Sequence, residues 1–198
     1  RQRLKAAEVP LVEIWDMTDD PLDMLVGFSH EAVGRAVAEH LLSRGYRRFG
    51  IISADDSRAK LRVAGFVSGL ESAGIGEYQL REVGTPSSMP WGREKSAELL
   101  DRHALDAIVC SSDILALGVL SEAQSRGLTV PGQLAIMGFG DSSYAAASFP
   151  ALSTVRIDGA AIGLRAAEHL LQRMAQPTFE RAGQVLDVGF DIVDRDTT

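Results

Sequence analysis

The sequence predicts an α/β fold built on parallel sheet, and three observations carry that prediction. Short apolar runs alternate with amphipathic helices along the 198 residues. The stretch from Ala107 to Asp141 reads strand, helix, strand, with polar residues closing both strands: Ser111-Ser112-Asp113 after the first and Gly138-Phe139-Gly140-Asp141 after the second. Turn residues punctuate the change-overs, as at Gly45, Gly74, Gly127 and Val130-Pro131-Gly132. In an open parallel sheet a ligand sits beyond the carboxyl ends of the strands. These loops are therefore where a site is expected.

The elements follow in order. Val9 to Trp15 contains a short strand, and Met24 to Phe28 a second. Ser29 offers an N-cap to a helix whose Ala32, Val33, Ala36, Val37, His40 and Leu41 recur at helical spacing. Phe49 to Ser53 is a buried strand. Asp55-Asp56-Ser57 starts a helix with Val63, Phe66, Val67 and Leu70 on one face. Tyr78 to Val83 is a strand, and Pro90 lies in the first turn of a helix reaching about His103. Beyond the Ala107–Asp141 stretch, Thr154 to Ile157 is extended. Asp158 caps a helix carrying Ile162, Ala166, Leu170 and Leu171, and Val185 to Val193 ends the chain as one alternating or bent strand.

Composition narrows the function. Hydrophobic residues make up 45% and charged residues 24%, and the net charge is −7. Nucleic-acid binding needs a basic footprint that this balance lacks. The single cysteine, Cys110, excludes an internal disulfide and a multi-cysteine metal site, and it reads as a small core residue of a cytoplasmic protein. No apolar run reaches the ~20 residues of a membrane span, and no signal peptide is visible. The chain begins with Arg1 and its first segment reads like the middle of a domain, so an upstream portion is expected.

Several motifs fail on inspection. Gly138 and Gly140 begin a phosphate-loop pattern, but Ser143 takes the place of its third glycine. His30-Glu31 opens a zinc-helix pattern, but Gly34 stands where the second histidine belongs. The remaining histidines, His40, His103 and His169, are isolated. No nucleophile elbow or P-loop is present, so neither a metal nor a cofactor is expected.

Four constellations keep two readings each. Ser112 and Asp113 cap a helix, and the same groups can face ligand hydroxyls. The turn at Gly140 can present the Asp141 carboxylate to a cleft, or serve as a turn alone. Arg58 and Arg62 lie one helical turn apart, either on a solvated face or with Arg62 held among Leu61, Val63 and Phe66 to fork onto a carboxylate or sugar hydroxyls. Trp15 and Asp16 after the first strand are either core packing or the apolar wall and acceptor of a sugar site.

Taken together, EAVGRAVAEHLLSRGYRRFGII, AKLRVAGFVSGLESAGI, SSDILALGVLSEAQSRGLTVPGQLAIMGFGD and PALSTVRIDGAAIG resemble the effector-binding core of LacI/GalR-type bacterial transcription repressors. VEIWDMT, DMLVGFSHE and STVRIDG are similar to the gluconate-repressor subgroup. The resemblance implies a periplasmic-binding-protein-like fold of two parallel-sheet lobes. Residues 1–27 and 156–176 would form part of an N-terminal lobe that is incomplete here. Residues 28–155 and 177–198 would form the C-terminal lobe, with crossings near Phe28, Arg156 and Pro177. The helix-turn-helix domain that would bind operator DNA is not in this sequence.

By position, the resemblance places effector contacts at Trp15, Asp16, Arg58, Arg62, Ser112 and Gly140, with another near Ser87; Asp113 and Asp141 join them from the residue reading. Many members carry Asn at Ser112, Asp at Gly140 and an aromatic at Gly159. The smaller residues here and the added Arg58 favour a sugar acid, such as gluconate, bound between the lobes. The implied partner is a second copy of the chain, met through Leu117, Ala147, Ser148 and Phe149. Two other functions compete: a transport-associated sugar-binding protein of the same fold, and an enzyme, for which no nucleophile–base set is visible.

Overall fold

The computed structural model describes residues 2–6, 9–175 and 184–198. Along the chain run α1 (Gln2–Ala6), β1 (Val12–Ile14), β2 (Met24–Gly27), α2 (His30–Ser43), β3 (Phe49–Ala54), α3 (Ser57–Ser72), β4 (Tyr78–Val83) and α4 (Met89–Leu100). They continue with β5 (Ala107–Cys110), α5 (Asp113–Ser125), β6 (Ala135–Met137), α6 (Ser143–Ala147), β7 (Thr154–Arg156), α7 (Gly159–Ala175), β8 (Gln184–Asp187) and β9 (Asp191–Val193). The chain divides into two units, one of Arg1–His30 with Ile157–Phe190 and one of Glu31–Arg156 with Asp191–Thr198.

The larger unit is a parallel sheet in the order β4-β3-β5-β6. Of its central strands β3 is buried along its whole length and β5 at all but Val109, as the continuous apolar runs FGIISA and AIVC require in a sheet covered on both faces. Phe49 packs edge-on against Phe66 of α3 at 5.5 Å. Leu99 of α4, Leu115 and Val119 of α5, Ile108 and Ile136 join one apolar cluster around Cys110. The α4–α5 crossing is close enough that a Cβ on Gly92 would lie 2.1 Å from the Leu115 carbonyl oxygen, and one on Gly118 2.2 Å from that of Met89. Asp56 caps α3 by accepting from the Ala59 amide at 2.9 Å. Strands β7 and β9 form an antiparallel ribbon beside this sheet, joined to it through a parallel bridge from Met137 to Ser153.

In the smaller unit β1, β2 and β8 form a parallel sheet with β2 in the middle. The α7 helix packs on β1 and β2 with Ile162 as its buried residue. Arg173 lies 3.4 Å from Asp23, whose other oxygen accepts the Leu11 amide at 3.2 Å.

Three expectations change. The C-terminal run is two strands, not one: β8 pairs with β2, while β9 pairs with β7 in the other unit, with Val188-Gly189-Phe190 between them. Residues 184–187 thus pair within the smaller unit, and the two units divide after His30, Arg156 and Phe190. The helix begun at Pro90 ends at Leu100. Leu171 is 65% exposed, because it lies nine residues, two and a half turns, from Ile162. The crossing expected near Pro177 lies outside the described residues.

Candidate functional site

In the larger unit the carboxyl ends of β3, β5 and β6 and the start of α3 bring together most of the expected residues. Arg62 is half-buried. Its guanidinium lies 4.0 Å from the centre of the Phe139 ring and donates to the Ser111 carbonyl oxygen at 3.1 Å. Burial pulls its pKa down to about 10, with Asp56 opposing that shift and Arg58 adding to it. Arg58 is exposed one turn earlier on α3. Behind Arg62 lies a cavity of about 30 Å³, walled by Val33, Val37, Phe66, Cys110 and Phe139, with room for about one water.

Ser111 ties the strands together: its amide donates to Ile52 O at 3.0 Å and its Oγ accepts the Ala54 amide at 2.9 Å. Ser112 occupies the N-cap position of α5, but its side chain makes no capping bond. Its Oγ is buried without a hydrogen-bond partner. An unpaired buried hydroxyl costs stability, so it is a place where a ligand group gains by arriving.

Both aspartates spend their carboxylates on partners within the larger unit. Asp113 is 2% exposed. Its carboxylate accepts from Thr154 Oγ1 at 2.6 Å and from the Ser142 amide and Oγ, both at 2.7 Å. Asp141, expected at a cleft, also has both oxygens engaged within the larger unit. One oxygen accepts from Arg156 Nε at 2.7 Å and the other from Arg195 Nη2 at 2.6 Å. Burial opposes the charge on Asp141, but the bonds from Arg195 and Arg156 outweigh it and hold the carboxyl below its usual pKa. The backbone of Asp141 lies in the left-handed region, with φ 47°, tolerable for an aspartate. Gly140 is exposed, and Ser87 is half-buried in the loop before α4.

The smaller unit holds Trp15 and Asp16 just past β1. Trp15 has φ 75°, a strained value for an aromatic residue. Its ring meets Phe28 edge-on at 5.9 Å, and Phe28 meets His30 at 4.5 Å. Buried His30 places Nε2 3.2 Å from Asp16 Oδ1. The backbone of Asp16 passes so close to Gly27 that a Cβ there would lie 2.1 Å from the Asp16 carbonyl oxygen. A Cβ on Gly159 would touch the Trp15 ring at 3.4 Å.

Of the expected second-copy residues, Phe149 is 87% exposed, and its carbonyl accepts from Gln124 Nε2 at 2.7 Å. Ala147 is exposed, Ser148 bonds within its own turn, and Leu117 packs partly buried on the apolar cluster. Sequence reasoning passed over Phe139 and Ser111, which contact Arg62, and over Thr154, Arg156 and Arg195, which hold the two aspartates instead. An aromatic between two glycines after a strand was the one available signal, for Phe139. Among the described residues no three His, Cys, Asp or Glu side chains are grouped to hold a metal ion.

The sequence profile of the family described as periplasmic binding protein-like domain matches residues 38–198. The chain belongs to the periplasmic binding protein-like domain family. Within that family it is similar to LacI-type transcriptional regulators, and these relatives are regulators, not enzymes. It is 39% identical over 202 residues to the HTH-type transcriptional regulator GntR of Pseudomonas aeruginosa, covering 100% of this chain and 58% of that protein. Against the regulator of the same name from Escherichia coli K12 it is 29% identical, covering 96% and 57% respectively. The crystal structure of transcription regulator GntR from Chromobacterium violaceum superposes with a TM-score of 0.90 at 37% identity, covering 99% of this chain and 72% of that one. A LacI family transcriptional regulator from Silicibacter pomeroyi gives 0.90 at 31%, with the same coverage. This periplasmic-binding-protein-like chain thus spans 58% of the length of its Pseudomonas relative, as an effector-binding domain of the LacI type. No helix among its described residues is long and apolar enough to cross a membrane.

Proposed function

We propose that the chain is the effector-sensing part of a cytoplasmic transcriptional regulator and that its effector is a sugar acid of the aldonate kind, such as gluconate. The observation that carries the reading is the charge of the face around Arg62. Arg62 and Arg58 supply two guanidiniums, while Asp113 and Asp141 spend their carboxylates on internal partners. A face with two guanidiniums against one neighbouring acid, Asp56, and with Asp113 and Asp141 held by internal partners, suits an anionic ligand. Ser112 Oγ supplies a polar group for its hydroxyls, and exposed Gly140 leaves room beside it. Trp15 and Asp16 are the candidate contacts in the smaller unit. The names of the Pseudomonas, Escherichia and Chromobacterium relatives support the same ligand class.

Binding would shift a pre-existing equilibrium only through different affinity for its two states. The readout is the affinity of the whole regulator for operator DNA, through a helix-turn-helix part outside this chain. A second copy is the expected protein partner, with Phe149 as the anchor. Calorimetry of the chain with D-gluconate, D-glucose and D-ribose tests the ligand class. Binding of the acid alone is expected, and tight binding of a neutral sugar with none of the acid overturns the assignment.

A further inference from the structure

The Asp141 carboxylate joins two segments that are far apart in sequence. Arg156 is the last residue of the larger unit before the chain enters the smaller one, and Arg195 lies four residues after the chain returns at Asp191. Both reach the same carboxylate, at 2.7 and 2.6 Å. The loop carrying Asp141 is fastened to the first segment twice more. The Gly138 amide donates to Ser153 O, and the Gly140 amide to Val155 O, both at 2.9 Å. The second segment is held in turn: Arg195 Nη1 donates to Leu152 O at 2.8 Å and its amide to Ser153 Oγ at 2.9 Å. The same loop supplies Phe139, the ring under Arg62. One short loop therefore touches the candidate ligand cation at its start and two of the three chain crossings at its end.

We propose that Asp141 is a positioning residue that carries effector occupancy from the Phe139–Gly140 loop to the paired strands β7 and β9 at the crossings, with Arg156 and Arg195 as its two arms. The proposal rests on the effector reading above for its trigger, but not for its geometry. A carboxylate bridging two arginines has a directional, charge-assisted bond on each oxygen. A shift of the loop is then felt at both strands together. With an amide at position 141 both arms lose their charged partner, and a shift of the loop no longer reaches either strand.

Hydrogen exchange read by mass spectrometry on the 198-residue chain tests this, with saturating D-gluconate as the probe. In the unmodified chain the probe slows exchange in residues 152–157 and 191–196 by about tenfold. Arg195→Gln, outside the candidate site, keeps probe affinity within about threefold by calorimetry. It loses the slowing in 191–196 but keeps it in 152–157. Asp141→Asn loses the slowing in both segments, and Arg195→Lys restores part of it in the second. Slowing of both segments in Asp141→Asn equal to that of the unmodified chain overturns the proposal. If the unmodified chain takes up no gluconate, the effector reading fails, and the clamp is judged without ligand. Asp141→Asn must then speed exchange in both segments relative to the β3 amides; unchanged exchange in either one overturns it.

Discussion

At the residue scale the governing fact is where each charge finds its partner. Arg62 carries its charge into a half-buried position against an aromatic ring, and burial has lowered its pKa to about 10. A base with a lowered folded-state pKa weakens the fold while charged, and that cost is fully present at neutral pH. Arg62→Met should therefore raise the melting temperature of the ligand-free chain, by about 1 kcal/mol of stability, while reducing gluconate affinity about a hundredfold. Thermal melts and calorimetry check the two halves separately. The acids run the other way. Asp141 ionises below its usual range of about 3.8, so its stabilisation is present above that value and is lost as pH falls through the lower folded-state one. Asp141→Asn should flatten the acid limb of the stability curve below about pH 4, measured by denaturant titration across pH. The partners of Asp141 were not legible in the sequence. The residues that bind Asp141 lie 15 and 54 positions away, and spacing cannot say which basic residues reach it. That Arg62 sits at a core edge was legible, because Leu61, Val63 and Phe66 surround it on the helix.

At the scale of elements the larger unit was read almost completely. Its strands are short apolar runs closed by polar or glycine residues, and β4 falls where the alternation predicts. The short α6 was missed: five small or polar residues carry no periodicity. The division of the last run into β8 and β9 was missed because both pieces are short and apolar in the same rhythm; only their partners, β2 and β7, separate them. The tightest joint in the unit is the α4–α5 crossing, where backbone meets backbone at Gly92 and Gly118. Beside it Glu122 accepts from Arg126 at 2.8 Å and from Arg93 at 3.0 Å, and the Arg126 bond contributes most to holding this carboxyl below its usual pKa. Gly118→Ala should cost about 2 to 3 kcal/mol, because the methyl would meet a carbonyl that cannot move without parting the helices. Chemical denaturation measures the loss, and a change within 0.5 kcal/mol would mean that the crossing relaxes freely.

For the whole molecule, the predictions concern assembly and accessibility. Phe149 is the most exposed large apolar side chain described, and a ring in water is the best anchor the surface offers a second copy. Sedimentation of the chain should give a dimer and Phe149→Asp a monomer; an unchanged dimer places the contact elsewhere. Leu117→Asp is the poorer probe, since that side chain also packs on the apolar cluster and its loss would disturb the fold. Cys110 meanwhile lies inside that cluster, and burial, with Asp113 adding to it, pushes its thiol pKa up. It should stay silent to Ellman's reagent until the chain is unfolded. With its one native thiol hidden, the protein needs no cysteine removed before labelling. Pairs of cysteines introduced on the surface can carry donor and acceptor dyes, and ligand-driven motion can be followed one molecule at a time.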